Sequence, residues 1–414
     1  MSTIVLVALV YLFLYPLLTS IAWVVTSVGL FYLRRERSTA GDGVPPPSSE
    51  QPLVSVVIPC HNEEAILEHT LEQVLTLTYP NKEIIVVDDG STDRTRAIAE
   101  PYARAGKLRL LVKSPGEGKP MALNDALPLT RGEFLLTLDA DSYPVPDIIE
   151  QVVKHFASSR VGAVTGNPRV GNRTSLWARI QVIEFPSILC LMRRAQRVWG
   201  RILSVSGVVA AFRKSALVDA GGWDPSIMTE DINISWALQK RAWDLRYEPR
   251  AVVWMQAPES LSDLWRQRVR WAQGLQEVLW RHRDVISTWK TRRLWPVFAE
   301  ACGSILWAYD FTLLTLVYLV MALFGHPPAY AQPLPPLWGG MLLAMFCLFQ
   351  LAVGLSMESR YDPTMRRYFF YAILYPAFYW ILMAFSVPVG TLAIVRRKIG
   401  PRTLATWRPR RYAA

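Results

Sequence analysis

Two adjacent carboxylates, Glu230 and Asp231, stand where a helix is predicted to begin. A threonine at the cap position and acidic residues in the first turn are typical of a helix amino terminus. Because the helix dipole favours the ionised carboxylate, Asp231 is predicted to stay deprotonated at neutral pH, as a proton acceptor must. The same two acids would serve equally as an ordinary helix start that only complements the dipole, and this is the commoner role of such residues.

A second pair of acids, Asp139 and Asp141, follows a predicted strand. Positions i and i+2 of an extended chain point to the same side, so both carboxylates are expected to converge on one ligand. Paired carboxylate oxygens suit Mg²⁺ or Mn²⁺, since such an ion takes one or two carboxylates and completes its shell with phosphate and water. A D-x-D segment is also common in simple turns, so its position at the end of a strand carries the argument.

Asp88 and Asp89 close another predicted strand, and the segment 116–118 (G-E-G) precedes Lys119. A flexible turn with one cation suits a phosphate, although a simple loop lysine would have the same sequence. The competing nucleotide signatures, G-x-G-x-x-G after a strand and G-x-x-x-x-G-K-[ST], are absent.

These motifs lie among short apolar runs that alternate with helical stretches. Runs rich in β-branched residues predict strands buried on both faces. The predicted elements are a strand at 53–58 closed by Pro59, then a helix at 62–76, a strand at 83–87, a helix at 92–105, a strand at 108–112, a helix at 120–129 and a strand at 134–138. This alternation predicts βαβ units and a mostly parallel α/β sheet, with ligands at the carboxyl ends of the strands.

Further along, segments 161–168 and 204–213 are predicted strands with many small residues. Small side chains either admit a flat ligand or allow tight packing in the sheet. Residues 176–201 predict a helix between them. Residues 261–289 predict an amphipathic helix that lies in the membrane surface, because apolar and arginine residues recur at helical spacing.

Four long apolar runs, at 4–32, 295–324, 337–357 and 368–395, predict an integral membrane protein. The first run carries no charge and is long enough to cross a bilayer of about 30 Å. It is followed by R-R-E-R and has no evident cleavage site, which favours a retained anchor over a signal peptide. Residues 41–52, rich in Pro, Gly and Ser, predict an extended linker.

The chain has 414 residues, of which 51% are hydrophobic, and a net charge of +11. Seven basic residues fall between Arg396 and Arg411. Basic flanks favour the cytoplasmic face and anionic lipids, and no module for nucleic-acid recognition is present in the sequence. The four cysteines and five histidines lack the spacing of a disulfide framework, a zinc site or another protein-only metal centre.

The order of four motifs resembles the processive, inverting family 2 glycosyltransferases, such as cellulose, chitin and hyaluronan synthases. These motifs are D-D-G-S at 88–91, D-A-D at 139–141, T-E-D at 229–231 and Q-x-x-R-W at 267–271. Within that family, the segments VGAVTGNPRV, FPSI, SGVVAAFRKSAL, MTEDINISW and QRVRWAQG are similar to the bacterial poly-β-1,6-N-acetyl-D-glucosamine synthases. The resemblance covers roughly residues 50–380 and implies a GT-A-like domain inserted between transmembrane helices.

The resemblance also implies roles for the donor site. The residues implied to bind the nucleotide of UDP-N-acetylglucosamine are Asn62, Glu63, Asp88, Asp89, Lys119, Asp139 and Arg270. Of these, Asp88 and Asp89 would contact the uridine, and Asp139 would share with Asp141 an Mg²⁺ or Mn²⁺ ion bound to the diphosphate. Lys119 and Arg270 would offset the negative charge on the leaving UDP.

On the acceptor side, the resemblance implies that Asp231 takes the proton of the acceptor hydroxyl, beside Glu230 in an unspecified positioning role. Gln267 and Trp271 would hold the end of the growing polysaccharide, with the tryptophan as a stacking platform. One base opposite the leaving group agrees with a single inverting displacement. A small membrane partner and control by cyclic di-GMP are further implications.

The predicted organisation is an anchor at 1–33, a linker at 34–52, a cytoplasmic transferase domain at 53–257, interface helices at 258–294, a membrane region at 295–395 and a basic tail at 396–414. The predicted location is the bacterial inner membrane. Three late spans would put the basic tail outside, against the positive-inside rule, so the run at 368–395, which contains Pro376 and Pro388, is predicted to be re-entrant or interfacial.

Some alternatives stay open at this level. Glu300 and Asp310 lie in an apolar run, where they either line a polymer channel or sit at the interface or pair with another helix. A related synthase would make chitin or hyaluronan instead, and a related transferase would add a single sugar to a lipid carrier. A third alternative is an inactive export or scaffold subunit, although the intact set of carboxylates argues against it.

Overall fold

A computed structural model of the chain describes residues 3–33, 51–326 and 338–399. Most of the predicted linker and of the predicted basic tail therefore lies outside the described residues. The centre of the described chain is one eight-stranded sheet in the order β3-β2-β1-β4-β7-β6-β8-β5. The strands are β1 (Val54–Cys60), β2 (Lys82–Asp89), β3 (Arg109–Lys113), β4 (Phe134–Leu138), β5 (Ser142–Pro144), β6 (Val161–Val170), β7 (Val209–Arg213) and β8 (Asp244–Met255).

The sheet is mostly parallel, as the sequence predicts. β1 pairs in parallel with both β2 and β4, β2 with β3, and β6 with β8. Only β7 and β5 run against their neighbours. Successive residues of the central strands alternate between two cores: Val56 and Ile58 belong to one apolar cluster, and Val57 and Leu135 to the cluster on the opposite face. Burial on both faces explains the continuous apolar runs.

Helices cover both faces of this sheet or lead into the membrane. They are α1 (Thr3–Leu33), α2 (Leu67–Leu75), α3 (Thr95–Arg104), α4 (Lys119–Ala126), α5 (Ile148–Val153), α6 (Leu176–Glu184), α7 (Leu191–Trp199), α8 (Lys214–Ala220), α9 (Glu230–Lys240), α10 (Leu261–Arg281), α11 (Trp295–Leu323), α12 (Trp338–Glu358) and α13 (Trp380–Ile399). A π-helical stretch at 185–190 joins α6 to α7, within the predicted helix 176–201.

Several predicted boundaries differ from the structure. Pro59 does not close β1 but lies inside it, opposite Val87 of β2, because the ladder to β4 has already ended at Val57. The strand predicted from 204 begins only at Val209, and residues 204–208 are instead irregular. The amphipathic helix predicted to 289 ends at Arg281 and continues as two short 3₁₀ segments.

Among the described residues, four helices are long and apolar enough to cross a membrane: Thr3–Tyr32, Trp289–Leu323, Gly340–Glu358 and Trp380–Arg397. The apolar run at 368–395 is thus divided. Its first part belongs to a 3₁₀ segment, Pro363–Ile373, and a π segment, Tyr375–Tyr379, and its second part is α13. A separate apolar cluster joins the domain built on the sheet to this region through Val170, Leu264, Leu351 and Tyr379, among others.

Two acids fix the membrane helices to their neighbours. The Glu300 carboxylate of α11 accepts hydrogen bonds from the Trp23 indole (2.5 Å) and the Gln196 amide (2.9 Å), so it pairs with α1 and α7. This geometry favours the pairing alternative for Glu300 over the channel alternative. At the end of α12, the fully buried Glu358 pairs with the guanidinium groups of Arg169 and Arg194. Asp310 has a carboxylate oxygen without a hydrogen-bond partner among the described residues.

Candidate active site

The candidate site lies at the edge of the sheet where β1, β2 and β4 end. In parallel strands the carboxyl ends share one edge, so the segments that follow these strands meet there. The turn 61–66 replaces the first part of the helix predicted from residue 62. Asn62 has a left-handed backbone, with φ 56°, which aspartate, asparagine and glycine adopt most readily.

This turn binds directly to the segment after β2. The Asn62 side-chain oxygen accepts from the Thr92 amide at 2.8 Å, and the Asn62 amide donates to the Ser91 hydroxyl at 3.0 Å. The Glu63 amide donates to the Thr95 hydroxyl at 2.7 Å. Asn62 and Glu63 therefore lie beside the D-D-G-S segment, as their predicted place beside the nucleotide requires.

Asp88 and Asp89 make different contacts. One Asp88 oxygen accepts from the Ser91 amide at 3.0 Å. Both Asp89 oxygens accept from the loop before α4, at 3.0 Å from the Glu117 amide and 2.6 Å from the Gly118 amide. Both side chains are almost fully buried, with Asp88 2% and Asp89 1% exposed. They differ in their partners: both Asp89 oxygens hold the loop before α4, whereas the Asp88 hydrogen bond stays within its own segment.

Glycines let these two loops approach each other. A Cβ atom on Gly116 would lie 2.1 Å from the Asp89 carbonyl oxygen, and one on Gly90 would lie 2.5 Å from the Gly116 nitrogen. Gly90 also has a positive φ of 71°. The loop that delivers Lys119 to the site is thus fixed by backbone contacts that any larger residue would displace.

Lys119 is the centre of the charged cluster. Its ammonium group lies 2.6 Å from an Asp139 oxygen and 3.1 Å from a Glu230 oxygen, and it donates to the Gly207 carbonyl at 2.9 Å. Gly207 in turn donates its amide to Asp231 at 3.1 Å. One lysine therefore joins the end of β4, the segment before β7 and the start of α9.

The protonation of these groups follows from burial and from each other's charge. Burial acts to lower the pKa of Lys119, yet the carboxylates of Asp139 and Glu230 raise it above its ordinary value. Burial acts to raise the pKa of Glu230, but the Lys119 ammonium brings it below its ordinary value. Burial, followed by the charge of Glu230, raises the pKa of Asp231 to about 6, and Lys119 opposes this rise. Of Glu230 and Asp231, Asp231 is the weaker acid and hence the better proton acceptor.

The helix start differs from its predicted form in two respects. Thr229 occupies the cap position, but its side chain makes no capping hydrogen bond. It packs instead against α10, where a Cβ atom on Gly274 would lie 2.3 Å from the threonine methyl group. The pKa of Asp231 is raised, contrary to the expectation from the helix dipole, because burial and the charge of Glu230 raise it more than Lys119, the Ile232 amide and Arg270 lower it. At neutral pH the carboxylate is still mainly ionised.

The D-x-D segment also differs from its predicted geometry. Residues 139–141 form a turn, closed by a hydrogen bond from the Ser142 amide to the Asp139 carbonyl at 3.2 Å, rather than a continuation of the strand. The strand-alternation argument for convergence of the two carboxylates was therefore wrong. They are nevertheless electrostatically coupled: burial raises the pKa of Asp139, Lys119 lowers it, and the charge of Asp141 raises it again.

The Q-x-x-R-W motif lies in α10. The Trp271 ring packs edge-on against Phe185 and face-on against the Arg268 guanidinium, whose carbon is 4.2 Å from the ring centre. The Gln267 side-chain oxygen is buried and has no hydrogen-bond partner in the described part of the chain. Arg270 lowers the pKa values of Glu230 and Asp231, so its charge acts on the same cluster.

Two parts of this arrangement were missed by the sequence reasoning. Gly207 contacts both Lys119 and Asp231 through its backbone, for which the sequence offers only a small residue as a signal. Arg268 is buried in an ion pair with Glu184 at 2.8 Å and a hydrogen bond to the Tyr379 hydroxyl at 2.7 Å. The arginine stands inside a recognisable motif, but its partners are far away in the chain.

Comparison with known proteins agrees with this fold and identifies the family. The family profile described as glycosyltransferase like family 2 matches residues 51–274. The chain therefore belongs to the family 2 glycosyltransferases and is a glycosyltransferase. A mannosyltransferase from Pyrobaculum calidifontis, in complex with GDP-Man and Mn²⁺, has a similar fold, with a TM-score of 0.58 and 22% identity over 89% of this chain and 99% of its own.

More specific relatives are poly-β-1,6-N-acetyl-D-glucosamine synthases. That of Staphylococcus epidermidis is 34% identical over 96% of this chain and 96% of its own length. That of Staphylococcus aureus strain COL is 36% identical, again over 96% of both chains. The resemblance inferred from the motifs is thus confirmed.

Proposed function

We propose that this glycosyltransferase polymerises N-acetylglucosamine from UDP-N-acetylglucosamine into a β-1,6-linked exopolysaccharide of the biofilm matrix, and couples synthesis to export. The observation that carries this proposal is the cluster around Lys119. It joins Asp139, in the proposed donor site, to Glu230, next to the proposed base Asp231. The names of the relatives over nearly the whole chain supply the sugar and the linkage.

In the proposed reaction, the oxygen of the acceptor's 6-hydroxyl attacks the anomeric carbon of the donor sugar. The bond from that carbon to the UDP oxygen breaks, and Asp231 takes the hydroxyl proton. Attack opposite the leaving group inverts the anomeric centre, so an α-linked donor gives a β-linked product. Lys119 and Arg270 would stabilise the negative charge that develops on UDP, since fixed cations at a partly buried site need little reorganisation.

Asp139 and Asp141 fit the proposed divalent cation. Among the described residues no group of three or more acidic, histidine or cysteine side chains forms a protein-only metal site. Two carboxylates nevertheless suffice for Mg²⁺ or Mn²⁺ when a diphosphate and water supply the other oxygens. The negative charge of Asp141 raises the pKa of Asp139, so the two carboxylates repel each other. A bound cation would relieve this repulsion. When bound, the ion would act as a Lewis acid on the diphosphate.

Trp271 and Gln267 are proposed to hold the acceptor end of the polymer. A sugar ring stacks on an aromatic face, and Trp271 is fixed by Phe185 and Arg268. The unsatisfied Gln267 oxygen offers a hydrogen-bond acceptor to a sugar hydroxyl. Asn62, Glu63 and the D-D-G-S segment would hold the nucleotide.

The proposed location is the bacterial inner membrane with the catalytic domain in the cytoplasm. Both ends of α13 contact the same helix, α10: Tyr379, just before α13, binds Arg268, and Arg397 lies 3.3 Å from Glu277. These contacts support a basic tail on the same side as the catalytic domain and an interfacial or re-entrant course for this segment. A cysteine-accessibility scan of the tail in intact cells tests this, and labelling from outside would contradict it.

By the same family resemblance, we also propose a small membrane partner and control by cyclic di-GMP. The central experiment uses purified membranes supplied with different UDP-sugars, with and without a candidate partner, followed by linkage-specific digestion of the product. Polymer from UDP-N-acetylglucosamine that a β-1,6-specific enzyme degrades is the expected result. A polymer degraded by chitinase or hyaluronidase, or a single sugar on a lipid, would overturn the proposed product.

A further inference from the structure

The segment that leads into the proposed base is fixed from outside its own helix. Residues 226–229, here termed the base loop, run directly into α9, which begins at Glu230. The amide of Met228 donates to a carboxylate oxygen of Glu277, in α10, at 3.1 Å. One turn earlier in α10, Gly274 lies against the Thr229 side chain with no space for a Cβ atom. The base loop is therefore seated on α10 at two adjacent points.

The second oxygen of Glu277 extends this contact to the last described helix. It accepts from the Gln273 side-chain amide at 3.0 Å and from one amino group of Arg397 at 3.3 Å. The other amino group of Arg397 donates to the Ser226 carbonyl at 2.7 Å. The contacts form a closed ring in which the base loop, Glu277 and Arg397 each touch the other two.

Arg397 is held in place because α13 packs closely on α10. A Cβ atom on Gly390 would lie 2.9 Å from the Gln273 backbone nitrogen, so the two helices touch through backbone at this point. The Gln276 side chain donates to the Val387 carbonyl at 3.1 Å and accepts from the Thr391 hydroxyl at 2.5 Å. A displacement of α13 relative to α10 would therefore pull Arg397 away from the base loop.

We propose that Glu277 and Arg397 are positioning residues for the transfer step: together they form a clasp that holds the base loop, and hence Asp231, in its working position. This inference rests on the proposed function of Asp231. The clasp makes the geometry of the base depend on the end of α13. The hydrogen bonds of the two side chains within the described part of the chain go to the base loop, to Gln273 and to each other rather than to the charged cluster, so donor binding is not expected to depend on them.

The test compares Glu277→Ala, Arg397→Ala and the double variant in the full-length membrane protein. Each single variant is expected to lower kcat by about 10- to 100-fold, since small misplacement of a reacting group has effects of this size. The KM for the nucleotide sugar and the affinity for UDP are expected to stay within about twofold of the wild type. Because the two residues act through one contact, the double variant is expected to be no slower than Glu277→Ala.

Two further variants separate positioning from a general structural effect. Arg397→Lys keeps a charge beside Glu277 and is expected to recover part of kcat, although it loses the forked contact to Ser226. Arg266→Ala is the matched control, because among the described residues Arg266 forms its ion pair with Asp263, on the exposed first turn of α10. Its kcat is expected to be unchanged.

Three results would overturn the inference: unchanged kcat in Arg397→Ala, additive losses in the double variant, or loss of UDP binding in parallel with kcat. Rates are measured with whichever nucleotide sugar the wild type consumes. A wrong donor in the proposed function therefore shows in the wild type, whereas a wrong clasp shows only in the variants.

Discussion

The pH dependence of the reaction tests the environment of Asp231. A base with a pKa of about 6 is mainly protonated at pH 5 and mainly ionised at pH 7. Because only the ionised carboxylate accepts a proton, kcat/KM is expected to rise with pH through about 6 and to be roughly tenfold lower at pH 5 than on the plateau. For an ordinary aspartate, with a pKa of 3.8, the rate would be almost flat over this range.

Two substitutions are expected to move this limb in opposite directions. Lys119→Met removes a positive charge that lowers the pKa of Asp231, so the midpoint is expected to move to higher pH. Glu230→Gln removes a negative charge that raises this pKa, so the midpoint is expected to move to lower pH. For charges this close, each displacement is expected to be roughly one pH unit.

The assay is the initial rate of UDP release in detergent-solubilised enzyme from pH 5 to 8.5, with each profile normalised to its own plateau. Normalisation is needed because both substitutions are also expected to lower the plateau rate. The electrostatic account would be refuted if both midpoints moved in the same direction, or if neither moved while the variants still bound UDP.

Two other substitutions test the packing that supports the site. Gly274→Ala places a Cβ atom 2.3 Å from the Thr229 side chain, so kcat is expected to fall about tenfold, with a loss of about 1–3 kcal/mol in the free energy of unfolding. Gly171→Ala is the control, because its Cβ atom would meet nothing closer than 3.5 Å. Equal effects of the two substitutions would show that the contact with Thr229 is not the cause. Glu358→Gln removes the negative charge that pairs with the buried Arg169 and Arg194. It is expected to lower the free energy of unfolding by about 3–5 kcal/mol, which is measured as a lower Tm. Asp263→Asn, at an exposed ion pair, is the control and should leave Tm unchanged.

The sheet and the order of the site segments were predictable because they depend on local patterns. The strand predicted at 134–138 is β4 with the same bounds. Continuous apolar runs marked β1, β2 and β4, since these parallel strands are buried on both faces. The acids at the end of β2 and just after β4 lie at the expected edge of the sheet.

Side-chain geometry beyond that edge was less predictable. The two D-x-D carboxylates would point to one side only if the strand continued, but the chain turns after Leu138. The pKa of Asp231 depends most on burial, which the local sequence of a helix start does not reveal.

Long-range partners could not be read from the sequence at all. Arg268 binds Glu184 and Tyr379, which are 84 and 111 residues away. Arg397 and Glu277 are 120 residues apart. A charged residue in sequence shows that a partner is needed if the residue is buried, but only the packing of the helices determines which partner it is.

Asp231→Asn tests most directly whether Asp231 is the base of a sugar-polymerising transferase. Asparagine has nearly the same shape but cannot take up the proton. With UDP-N-acetylglucosamine, the purified wild type is expected to release UDP and form polymer, whereas the variant is expected to bind UDP normally and to polymerise at least about 100-fold more slowly. Polymer synthesis by the variant at the rate of the wild type would contradict the claim.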